Sequence, residues 1–306
     1  MKCTLCPRMC GVDRTVTLGA CHTGDKIVVA KTMIHKWEEP SISTVDHEKT
    51  ALSVDNQTGS GAIFFSGCSL GCVYCQNREI SRRNIGREMS VEELADEMLS
   101  LQKQGAYNIN LVTPTHFSDK IAKSVSLISG ELKIPIVYNT SGYELPEIVE
   151  EVSKFADIFL TDMKYFSPDM SRKYSFAPDY YKYAKQSLAK MLEAKPKPVY
   201  NNGLMKSGVI MRHLVLPGGR HDSINLLDNI AASFDIKKFV LSLMSQYTPD
   251  FCPGEYPELK RKLTTFEYMS VLEHAKKLGY EGYMQDISSS SKIFTPKFKE
   301  DKNEQF

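Results

Sequence analysis

Short apolar segments alternate with longer amphipathic segments along most of the chain. Six short segments predict β-strands: "GAIFFSG" (61–67), "YNINLVTP" (107–114), "IPIVYNTSG" (134–142), "ADIFLTDMK" (156–164), "GVIMRHLVLPG" (208–218) and "FVLSLM" (239–244). A seventh, "YEGYMQDI" (280–287), predicts a final short strand. Short apolar runs bounded by turn residues are typical of strands that are buried on both faces.

The segments between these strands have the apolar period of helices. "SVEELADEMLSLQKQG" (90–105) begins with a capping box formed by Ser90 and Glu93, and Gly105 can end it. "TTFEYMSVLEHAKKLG" (264–279) begins with a second capping box, Thr264 with Glu267. Helices are also predicted at 118–129, at "LPEIVEEVSKF" (145–155) and at "DSINLLDNIAASF" (222–234). The tyrosine-rich stretch 171–186 predicts either an amphipathic helix with its approach loop or the lining of a partner groove.

This order of elements predicts an α/β fold with a parallel sheet, because strands joined by helical crossovers form βαβ units. The pattern fits both an open doubly wound sheet and a partial barrel. We divide the chain into a cysteine-rich head (1–35), a polar connector (36–60), the α/β domain (61–290) and a charged tail (291–306).

Composition narrows the class of protein. The 306 residues carry 38 Lys and Arg against 37 Asp and Glu, so no overall basic surface points to nucleic acid. The longest apolar runs fall far short of the about 20 residues that cross a bilayer, and the N-terminus lacks a signal-peptide pattern. We therefore expect a cytoplasmic protein without membrane partners. Its eight cysteines would be reduced there, which makes them candidate metal ligands.

Polar residues follow several of the predicted strands: "TPTH" (113–116), "NTSG" (139–142), "TDMK" (161–164) and "PGGRHD" (217–222). Ligands bind at the carboxyl edge of parallel sheets, where such loops meet. The sequence therefore predicts a site at this edge.

The segment "FFSGCSLGCVYCQN" (64–77) places Cys68, Cys72 and Cys75 directly after a strand. Three thiolates can hold three irons of a [4Fe–4S] cluster and leave the fourth iron open, whereas a structural zinc site needs four ligands. The alternatives are ordinary reduced cysteines or a zinc knuckle completed from elsewhere.

The head contains a complete set of four cysteines, Cys3, Cys6, Cys10 and Cys21. Four thiolates can close a zinc site or bind a whole second cluster. Their spacing differs from that of bacterial ferredoxins, which favours zinc, but both metals stay open, and His22 is an alternative ligand. Disulfides would need an oxidising compartment. Cys252 stands alone and is interpreted as a free thiol.

The motif "CSLGCVYC" resembles the signature of the radical S-adenosylmethionine (SAM) enzymes. With "CTLCPRMCGVDR", "NINLVTPTH", "VYNTSGYE", "RHLVLPGG" and "SLMSQYTP", nearly the whole chain resembles the pyruvate formate-lyase activating enzymes and the related PflX-type group. The resemblance implies a partial (β/α)6 barrel. It also implies a [4Fe–4S] cluster whose open iron is chelated by SAM, and reductive SAM cleavage to a 5′-deoxyadenosyl radical that abstracts hydrogen from a substrate.

The resemblance also implies roles for residues around SAM. Tyr74 matches the family's aromatic position beside the adenine. Asn139 and Ser141 match positions that contact the ribose. "TPTH" departs from the family's Gly-Gly-Glu-like stretch, so Thr113 and Thr115 offer only neutral oxygens where the SAM ammonium binds.

Two further strand ends carry charged residues. "D-x-K" resembles the activating-enzyme pattern, in which Lys164 would bind the SAM carboxylate and Asp162 would assist it or bind a monovalent cation. A surface salt bridge is the alternative. Arg212, within an apolar strand, needs a carboxylate or a ligand and would face SAM. His116 and His213 are candidate catalytic groups of the substrate pocket, or else histidines of the core.

We expect an oxidoreductase that takes electrons from a donor such as flavodoxin or ferredoxin. The activating-enzyme resemblance favours a polypeptide substrate, for example a glycyl-radical enzyme. The alternative is a non-catalytic iron–sulfur or zinc protein that serves electron transfer or scaffolding. Nucleic-acid modification lacks the basic stripe that it would need.

Overall fold

A computed structural model of the chain describes residues 2–43 and 58–284. In these residues the strands are β1 (Ile27–His35), β2 (Ser60–Phe65), β3 (Arg87–Met89), β4 (Ile109–Val112), β5 (Ile136–Thr140), β6 (Ile158–Asp162), β7 (Val199–Asn201), β8 (Leu204–Leu214), β9 (Val240–Met244) and β10 (Gly282–Met284). The helices are α1 (Pro40–Ser43), α2 (Arg78–Ser81), α3 (Val91–Lys103), α4 (Ser118–Leu127), α5 (Pro146–Val152), α6 (Pro168–Ser175), α7 (Tyr180–Ala194), α8 (Arg220–Ser233) and α9 (Thr265–Leu278).

The strands form one mostly parallel sheet in the order β10-β9-β8-β6-β5-β4-β2-β1-β3, with β7 paired to β8. Every neighbouring pair from β2 to β10 along this order is parallel. β1 is antiparallel to both β2 and β3, and β7 is antiparallel to β8. The predicted α/β fold is confirmed, and the sheet has the topology expected of a partial barrel.

The two faces of the sheet carry different side chains because successive residues of a strand point to opposite faces. On one face, Tyr138, Phe159, Met211 and Leu241 belong to a large core that also includes residues of α7, α8 and α9. The opposite face is lined by an apolar layer formed by Val137, Ile158, Leu160, Met205 and Ile210. The second face therefore forms the interior of the partial barrel.

The connector supplies the cover for this interior. Ile42 of α1 is 1% exposed and packs against the apolar layer of the inner face. Asn108 donates from its side chain to the Ile42 carbonyl at 2.6 Å. These contacts bring the segment before α1 onto the inner face of the sheet.

Several predicted elements are found where the pattern placed them. Both capping boxes are present, Ser90 with Glu93 at α3 and Thr264 with Glu267 at α9. The tyrosine-rich stretch forms α6 and the start of α7. β1, β3 and β7 were not predicted, and β1 lies inside the range that we assigned to the head. The tail (291–306) and the connector residues 44–57 lie outside the described residues.

The cysteine-rich head packs directly against the loop that carries Cys68. The N–H of Cys68 donates to the carbonyl of Cys21 at 3.1 Å. Arg14 is buried and donates to the His116 carbonyl, to Thr23 and to Gly24. The head is thereby fixed beside the cysteine loop.

Within residues 2–43 and 58–284, no helix combines the length and the apolar character that crossing a bilayer requires.

Candidate active site

A cavity of about 730 Å³ opens at the carboxyl ends of the parallel strands. Cys68, Cys72 and Cys75 all line it. The residues that the sequence placed at strand ends also reach it: Tyr74, Thr113, Asn139, Ser141, Asp162, Lys164 and Arg212. Its volume lies within the range of about 300–1,000 Å³ that is usual for small-molecule sites. The fold therefore gathers residues from the ends of four strands, β4, β5, β6 and β8, around the cysteine loop that follows β2.

The cysteine loop presents its three thiols to the cavity in a polar environment. Cys72 is buried and Cys68 and Cys75 are half-buried. Leu70 N–H donates to the Cys68 sulfur at 3.4 Å, and the Ser175 hydroxyl donates to the Cys72 sulfur at 2.9 Å. Donors directed at sulfur stabilise the thiolate form, which is the form that binds metal.

Burial makes the free thiols of Cys68 and Cys75 poor acids. It raises the pKa of Cys68 to about 12, and the neighbouring Cys72 adds to the effect. Burial also raises the pKa of Cys75. A bound cation would reverse this, because coordination by a metal deprotonates a thiol. Cys68 and Cys75 would therefore be thiolates at neutral pH only with a bound cation.

Tyr74 joins the cysteine loop to α6 through a chain of hydroxyl groups. Its hydroxyl lies 2.7 Å from that of Tyr165, which in turn lies 2.7 Å from the hydroxyl of Ser175. Ser175 is the donor to Cys72. The Tyr74 ring is thereby held at the cavity wall, and sequence reasoning did not find Tyr165 or Ser175.

A row of charges crosses the cavity wall from the cysteines. Lys164 Nζ contacts Asp162 Oδ2 at 2.6 Å, and Arg212 Nε contacts Asp162 Oδ1 at 2.8 Å. Arg212 also donates to Asn139 Oδ1 at 2.6 Å. Burial alone would raise the pKa of Asp162, but Arg212 and then Lys164 outweigh it and lower that pKa. Asp162 is therefore ionised at neutral pH and orients both cations.

Two glutamates that sequence reasoning missed lie at the far end of this row. Arg212 Nη1 is 3.7 Å from Glu38 Oε2, and Arg212 Nε is 3.8 Å from Glu39 Oε1. Both glutamates line the cavity. Burial raises the pKa of Glu39 to about 7 although Arg212 opposes it, and burial also raises the pKa of Glu38.

The family model of the radical SAM superfamily matches residues 62–218 of this chain. The match spans the cysteine loop, both strand ends that carry Asp162 and Arg212, and the sheet between them. The chain belongs to the radical SAM superfamily. It is also similar to the uncharacterized protein MJ0674 of Methanocaldococcus jannaschii, with 27% identity over 287 residues that cover 90% of this chain and 75% of that protein.

Radical SAM proteins are enzymes, and the family implies a [4Fe–4S] cluster and SAM. The donor set of this chain fits the cluster, since three soft thiolates line one cavity beside sulfur-directed donors and a lysine. Among the described residues, no three His, Cys, Asp or Glu side chains are grouped to hold a metal ion. A cluster does not need its ligands to converge on one atom, because each cysteine binds a different iron.

The stretch "TPTH" (113–116), which follows β4, has an unusual backbone at its first residue. Thr113 has a φ of 60°, the left-handed region that favours glycine, and it lines the cavity. Thr115 does not line the cavity. It is buried and donates to Glu144 at 2.6 Å, and burial raises the pKa of this glutamate to about 7. Of the two threonines, Thr113 faces the site.

Neither candidate histidine lines the cavity. His116 is buried with Nε2 at 2.7 Å from the Ser66 carbonyl, and burial lowers its pKa to about 4. His213 is buried with Nδ1 at 2.6 Å from the Met163 carbonyl and Nε2 at 2.8 Å from the Ser223 hydroxyl. The structure places both as neutral, hydrogen-bonded side chains of the core rather than in the radical SAM cavity.

The head cysteines share one local feature with the cluster loop. The backbone N–H of the residue two positions later lies at the sulfur of Cys6, Cys10, Cys68 and Cys75. Burial would raise the pKa of Cys10, but the N–H groups of Ala20 and Val12 outweigh it and lower that pKa. Cys3, Cys6, Cys10 and Cys21 lie near one another, since Cys3 lowers the pKa of Cys10 and both Cys21 and Cys3 raise that of Cys6, but among the described residues no three of them meet the geometry of a single metal ion. Cys252 is buried and does not line the cavity.

Proposed function

We propose that Cys68, Cys72 and Cys75 bind a [4Fe–4S] cluster with one open iron, and that the chain uses it with SAM to abstract hydrogen from a substrate. When bound, these cofactors supply a one-electron reductive cleavage that yields a 5′-deoxyadenosyl radical. One observation carries the proposal: the three cysteines share a single cavity with the ion-paired row of Lys164, Asp162 and Arg212.

The chain's own residues would bind and orient SAM. Lys164 is positioned to bind the carboxylate of SAM. Burial opposes the charge of this lysine, but Asp162 and then Cys72 outweigh burial and raise its pKa, so that it stays protonated. Asp162 keeps Lys164 and Arg212 in place, and it is also the candidate ligand of a monovalent cation. The held ring of Tyr74 would lie beside the adenine.

Three further residues would complete the SAM site. Asn139 and Ser141 line the same wall, where they would contact the ribose. Thr113 would offer a neutral oxygen to the SAM ammonium. A one-electron donor such as flavodoxin or ferredoxin would supply the electron.

The substrate would be a polypeptide, in line with the resemblance to activating enzymes. Hydrogen abstraction from a backbone glycine of a glycyl-radical enzyme is one form of this activity. The polypeptide substrate is supported by the resemblance to activating enzymes alone. The four head cysteines would bind zinc or a second cluster, supported by the N–H groups at Cys6 and Cys10. Metal analysis of the wild type and of Cys10→Ser distinguishes the two.

The experiment uses anaerobically reconstituted protein with SAM and dithionite, and 5′-deoxyadenosine is quantified by chromatography. We expect product from the wild type and none from Cys72→Ala. Cys252→Ala is the matched control, because it removes a buried thiol outside the cavity, and it should retain activity. A fully loaded wild-type cluster whose EPR spectrum is unchanged by SAM, and which gives no product, would favour the non-catalytic iron–sulfur reading.

A further inference from the structure

The Glu38–Glu39 pair lines the same cavity as the cluster loop and lies next to Arg212, and we call this part the glutamate end of the cavity. Asp162 contacts both Lys164 and Arg212, and Cys72 is near enough to Lys164 for its charge to raise the pKa of this lysine after Asp162 does. Both glutamates come after Arg212 in this row. A molecule held at the cysteines by Lys164 would leave the glutamate end of the cavity for a second ligand.

Among the described residues, no cation lies in close contact with the two glutamates, which are near enough to affect each other's pKa. Asp162 takes both short ion pairs, whereas each glutamate is more than 3.6 Å from Arg212. Lys36 lines the same cavity but forms no ion pair with either glutamate in the described part of the chain. His35 lies 4.0 Å from Glu38, and burial lowers its pKa, so it adds no charge at neutral pH.

Buried polar atoms at this end also lack partners. Glu39 is 7% exposed, and its Oε1 accepts from Ser242 at 3.2 Å, but its Oε2 has no hydrogen-bond partner among the described residues. Asn110 of β4 is fully buried and lies near enough to Glu38 to lower its pKa, but neither of its side-chain polar atoms has a partner at full hydrogen-bond geometry among the described residues. Unpaired buried polar atoms are costly, so they indicate a ligand that the site is built to receive.

Aromatic side chains stand beside the two carboxylates. Trp37 and Tyr283 both line the cavity. The pKa of Tyr283 is affected by burial, then by Ser41, and then by the charge of Glu39, which therefore lies nearby. Carboxylates next to aromatic rings are suited to organic cations. The carboxylate and the face of the ring both attract the positive charge, and the ring also packs against the apolar part of the cation.

We propose that the Glu38–Glu39 pair binds a protonated amine of the substrate. This inference rests on the proposed function, since it assigns to the substrate the part of the cavity that bound SAM would leave open. The ammonium would donate to Glu39 Oε2 and to Glu38, and Asn110 would accept from it or orient it. The substrate class is therefore an alkylamine, either a small molecule or a lysine side chain of a polypeptide.

The test is anaerobic titration calorimetry on the cluster-loaded protein with saturating SAM, in an amine-free buffer. Cadaverine is the cationic probe, and pentanediol is its neutral counterpart of similar shape. We expect cadaverine to bind the wild type, pentanediol not to bind, and Glu39→Gln to weaken cadaverine at least about tenfold. Glu38→Gln is the second variant and should weaken it in the same direction.

Glu193→Gln is the matched control, because Glu193 is an exposed glutamate paired with Lys190 on α7. It should bind cadaverine like the wild type. Trp37 is the single tryptophan of the chain and lines the cavity, so its emission gives a local second readout.

Three outcomes overturn the inference: no cadaverine binding by the wild type, equal binding by Glu39→Gln, or a parallel loss of SAM affinity in Glu39→Gln. The last would assign the pair to the ammonium of SAM. Cluster iron content and the EPR response to SAM are recorded on the same samples. If those fail, the proposed function fails; if they succeed and cadaverine does not bind, only the amine site is wrong.

Discussion

Glu39→Gln should stabilise the ligand-free protein at alkaline pH and have little effect at acid pH. Burial raises the pKa of Glu39 from an ordinary 4.5 to about 7. Between these two values the folded protein holds a proton that the unfolded chain has released, so stability falls as pH rises through this window and is constant above it. Each tenfold change in proton affinity is worth about 1.4 kcal/mol, so the carboxylate costs about 3 kcal/mol by pH 8.

The assay is urea unfolding of wild type and Glu39→Gln, under anaerobic conditions without SAM or amines, at pH 5 and pH 8. Glutamine keeps the shape of the side chain without its charge. We expect the stability gained by the substitution to grow by about 2 kcal/mol from pH 5 to pH 8. Glu193→Gln should show no such change. An equal effect of Glu39→Gln at both pH values would refute the assignment of a buried, uncompensated carboxylate.

Three other substitutions have distinct expected outcomes. Lys164→Ala should keep the cluster but weaken SAM at least about tenfold, because it removes a buried cation, as EPR titration would show. Ser90→Ala should lower the free energy of unfolding by about 1 kcal/mol through loss of the α3 cap, measured by urea midpoint. Gly142→Ala should destabilise by more than about 1 kcal/mol, because φ is +77° and the added methyl would collide with the Asp162 carbonyl. Normal thermal unfolding of Gly142→Ala would contradict this.

The sequence was sufficient wherever the determinants are local. Apolar runs and periods predicted the parallel strands, and the capping boxes at Ser90 and Thr264 marked two helix starts to the residue. β1 was missed because its cysteine-rich surroundings suggested a separate head. Its partners are distant in sequence: His35 pairs with Ser60, and Ile27 pairs with Met89. An antiparallel strand at the border of a parallel sheet leaves little local signal.

The environment of His116 and His213 also could not be predicted from the sequence. The sequence around a single histidine at a strand end is the same whether its side chain faces a cavity or the core. His213 is fixed by the carbonyl of Met163, 50 residues earlier, and by Ser223 of α8. His116 is fixed by the carbonyl of Ser66. Only the packing of separate strands and helices determines the direction of these rings.

The electrostatics of the cavity depend most strongly on distant pairings. The sequence required a carboxylate or a ligand for Arg212, and it offered several carboxylates. Parallel pairing of β6 with β8 puts Asp162 beside Arg212, so Asp162 takes the short contacts of both Arg212 and Lys164. "WEEP" (37–40) resembles a solvated loop, yet α1 anchors it in the barrel through Ile42. The two glutamates then face a cation that already pairs with Asp162, and this leaves two buried carboxyl groups whose negative charge an incoming ammonium would balance.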